Sequence, residues 1–242
     1  MSADTEPNIA CFVDYENVAL GARDAKLAAF DIAVVLERLH EKGKLVVKRA
    51  YCDWSSYASS KKPLHGAGFE MIEVPHVSYS GKNSADIRMA VDAVDLCHTK
   101  SHLDIFAIVS GDSDFSPLVG KLRENDKHVV GIGVKSSTSR LLVDCCDEFV
   151  FYDELVQTAH SGDPTEAVDL VATTAHALLR DRNPPVWGSH VKQALKRKIP
   201  QFNEAFFGYR SFNQVLEAAA KAGRLEMQKD DPSGGYQIHD AA

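Results

Sequence analysis

The sequence has no run of about 18 apolar residues, so it offers no segment that could cross a bilayer as a helix. Its five cysteines are an odd number without a C-x-x-C pair, which argues against a disulfide framework or a zinc ribbon. The first residues, MSADTEPN, lack the basic-then-apolar order of a secretory signal, so a reduced, cytoplasmic setting is expected. Several catalytic signatures are missing too. There is no G-x-S-x-G elbow for a nucleophilic serine, no H-E-x-x-H helix for zinc and no G-x-G-x-x-G dinucleotide loop. Gly131 and Gly133 in GIG fall inside a strand-like run, which makes a cofactor loop a weak reading. His98 and His102 stand near a helix end with no Glu between them and are poor metal ligands, and Cys145 and Cys146 read as inert buried thiols.

What is present is ordinary globular material: 242 residues, 45% hydrophobic and 25% charged, enough for one medium and one small domain. The net charge of −7 is unevenly spread. Residues 1–163 hold 17 basic and 25 acidic side chains, residues 164–242 hold 10 and 9, and Trp187 to Arg224 holds seven basic against two acidic. Phosphate attraction supplies most non-specific affinity for nucleic acid. Such contact is therefore disfavoured by the whole chain and permitted locally in its second part.

The first part alternates two periodicities. Strand-like runs at 9–13, 44–52, 69–75, 104–110, 128–134 and 148–152 are separated by helical patterns at 31–43, 56–68, from Ser84 to about Cys97, from Pro117 onward, and near 137–145. This order predicts an α/β fold with a mainly parallel sheet flanked by helices. The polar stretch 158–165 reads as a linker between a domain at 1–157 and another at 166–242. Behind it, helices at 167–179, 189–198 and 211–222, the last ending at Gly223, precede strands at 224–228 and 236–239: the order of a small winged helix.

Ligands of open parallel sheets bind beyond the carboxyl ends of the strands. Asp14 follows the run IACFV, Asp112 and Asp114 follow DIFAIVS, and Asp86 lies in the first turn of the helix that Ser84 can cap. Any one of them could be a helix cap or a dipole partner. Four on one rim are expected to bind Mg²⁺ or Mn²⁺, because crowded carboxylates repel one another until a hard cation neutralises them. Asn17 could hold a water or a phosphate oxygen, Ser110 and Ser113 could supply hydroxyls, and Lys82 could meet the substrate phosphate. Asp92 and Asp95 fall on other faces of their helix and read as structural.

CFVDYEN (11–17), GKNSADIRMAVDAVDL (81–96) and IVSGDSDFSPLVGKLRENDKHVVGIG (108–133) resemble the NYN domain, a PIN-like nuclease domain also found in LabA-like proteins. The resemblance implies a PIN-like fold, RNA as substrate, and Asp14, Asp86, Asp112 and Asp114 as metal and catalytic residues, with Asn17 beside them. The segments VDLVATTAHALL, WGSHVKQALKRKIPQF and GYRSFNQVLEAA resemble the OST-HTH or LOTUS domain, which implies RNA binding or contact with a protein partner. Independently, Lys192, Lys196, Arg197 and Lys198 form a basic helix, Arg210 is expected to open the next one, and Tyr209 could stack on a base. Phe202, Phe206, Phe207 and Phe212 read as core. The expectation is a divalent-metal-dependent endoribonuclease with an RNA-binding module. The alternative is a non-catalytic RNA- or protein-binding regulator.

Overall fold

Five-residue stretches such as IACFV and IFAIV have no polar face, and the structure buries them on both sides. The computed structural model describes residues 6–74, 84–156, 162–181, 186–230 and 235–239. The chain divides into two compact units, Met1–Val156 and Gln157–Ala242. The first contains β1 (Asn8–Asp14), α1 (Tyr15–Asp24), α2 (Ile32–His40), β2 (Lys44–Cys52), α3 (Lys61–Gly66), β3 (Glu70–Glu73), α4 (Ser84–Thr99), β4 (Ile105–Val109), α5 (Ser116–Glu124), β5 (His128–Gly133), α6 (Arg140–Cys145), β6 (Glu148–Phe151) and α7 (Tyr152–Val156).

The six strands form one parallel sheet in the order β3-β2-β1-β4-β5-β6. Alternate residues of β1 feed two cores. Ile9, Cys11 and Val13 pack with Val18, Ala22, Ile32, Val35 and Leu39 on one face. Ala10 and Phe12 pack with Met89, Ala93, Leu118, Val119, Leu122 and Leu142 on the other. Helices therefore cover both faces, as the strand composition predicts. The chain builds outward from β1 through β2 to β3, returns to place β4 beside β1, then builds the other way. Such a reversal, here between the carboxyl ends of β1 and β4, is where open parallel sheets form their ligand crevices.

Two elements differ from expectation. α1 begins at once after β1, with no loop, and α7 begins at Tyr152, the residue expected to end the last strand. Gly131 and Gly133 lie within β5, where a Cβ on Gly131 would collide with the Phe149 ring. They permit close packing and do not form a phosphate loop.

The second unit contains α8 (Pro164–Asp181), β7 (Val186–Trp187), α9 (Gly188–Lys198), α10 (Phe212–Lys221), β8 (Glu226–Lys229) and β9 (Tyr236–His239). Its strands form a small antiparallel sheet in the order β7-β9-β8. Pro164 and Thr165, expected in the linker, are helical because Asp163 accepts the Thr165 amide at 2.9 Å and starts α8; residues 157–161 lie outside the described residues. Gly223, at φ +69°, closes α10 with Arg224 N–H donating to the Ala219 carbonyl at 2.9 Å. Phe202, Phe207 and Phe212 are buried in the core of this unit, and Phe206 packs half-buried against it. No helix of the described residues is long and apolar enough to cross a membrane.

Candidate active site

The crevice between β1 and β4 is floored by Asp14, the last residue of β1 and only 7% exposed. Its position is fixed from both sides. Asp14 Oδ1 accepts the Asn17 amide at 3.4 Å and so caps α1, while Oδ2 accepts the Ser110 hydroxyl at 3.0 Å. Ser110 Oγ in turn accepts the Asp112 amide at 3.2 Å. Asn17 Oδ1 accepts the Gly111 amide at 2.9 Å, tying the start of α1 to the loop after β4. Asn17 thus joins two strand ends through its Oδ1, whereas holding a phosphate oxygen would take its Nδ2.

The β4 loop is held from outside as well. Ser139 N–H donates to the Gly111 carbonyl at 2.8 Å, and a Cβ on Gly111 would stand 2.7 Å from the Ser137 carbonyl oxygen. Only glycine fits there without displacing backbone. Beyond it, Asp112 caps a 3-10 turn by accepting the Asp114 amide at 2.9 Å. Tyr15, next to Asp14, is wedged among Phe30, Trp54 and Tyr57 with ring centroids 5.8, 5.2 and 5.5 Å away. The β1–α1 junction is therefore stiff.

The acidic side chains feel one another. Burial pushes the Asp14 carboxyl up to about 7, with the charges of Asp86 and Asp112 adding to it and the Ser110 and Asn17 hydrogen bonds opposing. Burial likewise pushes Asp86 up to about 6, helped by Asp112, Asp114 and Glu16. Asp86 and Asp112 are half-buried and Asp114 is exposed. Among the described residues no salt bridge engages Asp14, Asp86 or Asp112. Glu16 is the neighbour that sequence reasoning missed, although it stands two residues from Asp14 in CFVDYEN.

Donor chemistry and spacing both bear on whether these acids suit a divalent cation. The donors are hard carboxylate oxygens in a place that disfavours their charge, which suits such an ion. The spacing is open: among the described residues no three His, Cys, Asp or Glu side chains stand close enough to form a metal-holding group. Mg²⁺ keeps several waters and takes only one or two carboxylates directly, so an open set still fits it.

The comparisons with known proteins bear on the same stretch. The family model described as the NYN domain matches residues 8–153. The chain belongs to the NYN family. NYN domains are PIN-like, typically nucleases that act on RNA and generally use divalent metals. An uncharacterized protein of Methanocaldococcus jannaschii is 31% identical over 154 residues, 63% of this chain. The match spans 58% of that relative's length. A crystal structure of a protein of unknown function from Vibrio parahaemolyticus is 30% identical, covers 64% of this chain and 98% of its own, and superposes with a TM-score of 0.57.

Of the other expected contacts, Lys82 lies outside the described residues. In the second unit, Lys192 Nζ donates to Glu204 Oε1 at 2.9 Å and stands 5.7 Å from the Phe212 ring centroid. Burial alone would raise the Glu204 carboxyl; the Lys192 hydrogen bond and the charges of Lys192 and Lys196 hold it below its ordinary value. Tyr209 is half-buried against the core, and its hydroxyl donates to the Pro164 carbonyl at 3.3 Å, so its ring is no open stacking platform. Arg210 does not open α10: Ser211 is the cap, and the Arg210 amide donates to Gln214 Oε1 at 2.8 Å. Arg197, Lys198 and Arg210 are the exposed members of the basic set. The cysteines are unpaired thiols, and burial pushes Cys11, Cys52 and Cys146 up to about 12, which leaves those three inert; Cys145 is only half-buried.

Proposed function

We propose that the chain is a divalent-metal-dependent endoribonuclease whose site is the acidic crevice between β1 and β4. The observation that carries this reading is Asp14: a buried carboxylate without a cationic partner among the described residues, made costly to ionise by burial and by acids from two other elements. Asp14, Asp86, Asp112 and Asp114 would hold the cation, with Glu16 adding negative charge beside Asp86. When bound, the cation supplies positive charge against the phosphodiester and lowers the pKa of a water. The protein's own part is positioning. Ser110 and Asn17 lock the strand ends, and the Asp112–Asp114 turn fixes the outer acids on the rim.

The second unit would act as a winged-helix module of the OST-HTH or LOTUS kind, presenting Arg197, Lys198 and Arg210 to RNA phosphates. Lys192 is committed to Glu204 and contributes less. A second reading has one observation in its favour. The acids do not stand as a closed metal group, which would suit a protein that binds RNA or another protein without cutting.

Labelled single-stranded RNA incubated with Mn²⁺, with EDTA and with an Asp112→Asn variant separates the two. The nuclease reading requires cleavage with Mn²⁺ that EDTA abolishes and Asp112→Asn lowers by about 10²-fold or more. Cleavage indifferent to both treatments refutes it, and binding without cleavage supports the second reading.

A further inference from the structure

We infer that the outer face of α4 is the contact surface of a symmetric homodimer. Ile87 is 63% and Val91 59% exposed, and they stand one turn apart on the same helix. Among the described residues only Val46 and Leu141 are comparably exposed large apolar side chains, and each stands alone in its element. At about 100° per residue Val94 falls within about 20° of Ile87 but packs partly against the core, so Ile87 and Val91 are the exposed members of the apolar stripe. The rest of α4 is satisfied: Met89, Ala93, Leu96 and Cys97 face the core, and Asp92 is clamped to the sheet edge by Tyr51 at 2.9 Å and Arg49 at 3.7 Å.

The flanking charges select the occupant. Arg88 and Asp95 are both exposed and lie on the same side of the stripe, the side on which Asp92 turns toward Tyr51. When two copies of a helix pack antiparallel about a two-fold axis, each flank meets its own counterpart. With Val91 opposite Val91, Arg88 of one copy stands within about one residue's rise, ~1.5 Å, of Asp95 of the second. The pair is made twice. In the antiparallel orientation the surface is thus complementary to itself, which favours a second copy of this chain over an unrelated partner. Arg88 already meets Asp92 at 3.0 Å, and its five-donor fork can serve both carboxylates. A 16-residue helix is about 24 Å long, and one such pair lies at or below the ~1,200 Å² lower bound of standard interfaces. The dimer is therefore weak and concentration-dependent.

Sedimentation equilibrium of the full chain over a micromolar concentration series tests this. The expected result is a monomer–dimer equilibrium that Val91→Glu converts to monomer with unchanged circular dichroism. Asp95→Arg should weaken association about tenfold or more by setting like charges together, and the double variant Arg88→Asp/Asp95→Arg should restore it. A wild-type monomer at every concentration overturns the proposal, as does a dimer that persists in Val91→Glu. If Val91→Glu fails to fold, the charge pair decides: dimerisation unaffected by Asp95→Arg, or lost and not rescued by the double variant, also overturns it.

Discussion

Asp14 concentrates the tension of the molecule in one side chain. Its carboxyl rises from an ordinary 3.8 to about 7 and that of Asp86 to about 6, so in the absence of a cation the fold favours their protonated forms. The sign follows directly. A folded pKa above the unfolded one gives stability that is complete below the unfolded value and is lost as pH rises through the folded value. In EDTA the melting temperature is therefore expected to fall as pH rises from about 4 to about 8, apart from the contribution of other groups. Asp14→Asn keeps one acceptor oxygen for the Asn17 amide, turns its Nδ2 as a donor toward Ser110 Oγ, and removes the charge. It should raise stability at neutral pH by about 1–2 kcal/mol, flatten that pH dependence and abolish cleavage. Thermal melts across pH with the two proteins side by side check it; a variant less stable than wild type at pH 8 would contradict the account of the site.

At the scale of elements, the site depends on how α4 is anchored, because α4 brings Asp86 to the rim. The buried Tyr51 hydroxyl donates to Asp92 at 2.9 Å, Arg88 and Arg49 reach the same carboxylate at 3.0 and 3.7 Å, and Arg49 also meets Glu70 at 2.7 Å. Tyr51→Phe leaves the half-buried Asp92 without one donor and should cost about 1–2 kcal/mol in a denaturant titration. Asp92→Ala strands the buried Tyr51 hydroxyl and should cost more, about 2–3 kcal/mol. Sequence alone made Asp92 structural from its angle around the helix; Arg88 is a local i,i+4 partner, but Tyr51 comes from β2, 41 residues away, and no local pattern points to it.

The strands of the first unit were legible for a simple reason: strands buried on both faces read as unbroken apolar runs, and glycines and prolines mark their ends. The elements that escaped notice are those without punctuation. α1 follows β1 directly because Asp14 serves as both strand end and helix cap, so no turn residue announces the change. β7 has only two residues, Val186 and Trp187, and exists through pairing with β9, some fifty residues on. The acids were legible as a set because each follows a strand or opens a helix. Glu16 was not, since it stands on α1 and joins the cluster only once α4 is packed nearby. The basic residues were legible in composition but not in commitment, because the Lys192–Glu204 pair spans a loop whose path the sequence does not display.

At the scale of the whole molecule, an acidic NYN unit is joined to a unit with exposed Arg197, Lys198 and Arg210, which would reconcile a net charge of −7 with the proposed RNA substrate. If these side chains contact phosphate, Arg197→Glu/Lys198→Glu should weaken binding to single-stranded RNA uniformly across sequences. The slope of log affinity against log salt should flatten by about 1–2, since each lost single-strand phosphate contact removes about 0.7. Fluorescence anisotropy at several salt concentrations reads both quantities. An unchanged slope would move the RNA contact elsewhere on the chain.

In the proposed site, acids from β1, α4 and the β4 loop act on one cation. The most direct measurement is calorimetric titration of Mn²⁺ into chelator-stripped protein, with Asp86→Asn and Asp112→Asn in parallel. The account predicts saturable binding in the wild type, weakened about tenfold or more in each variant although the two residues come from separate elements. Absence of binding up to about 10 mM, or binding that both variants retain in full, would contradict it.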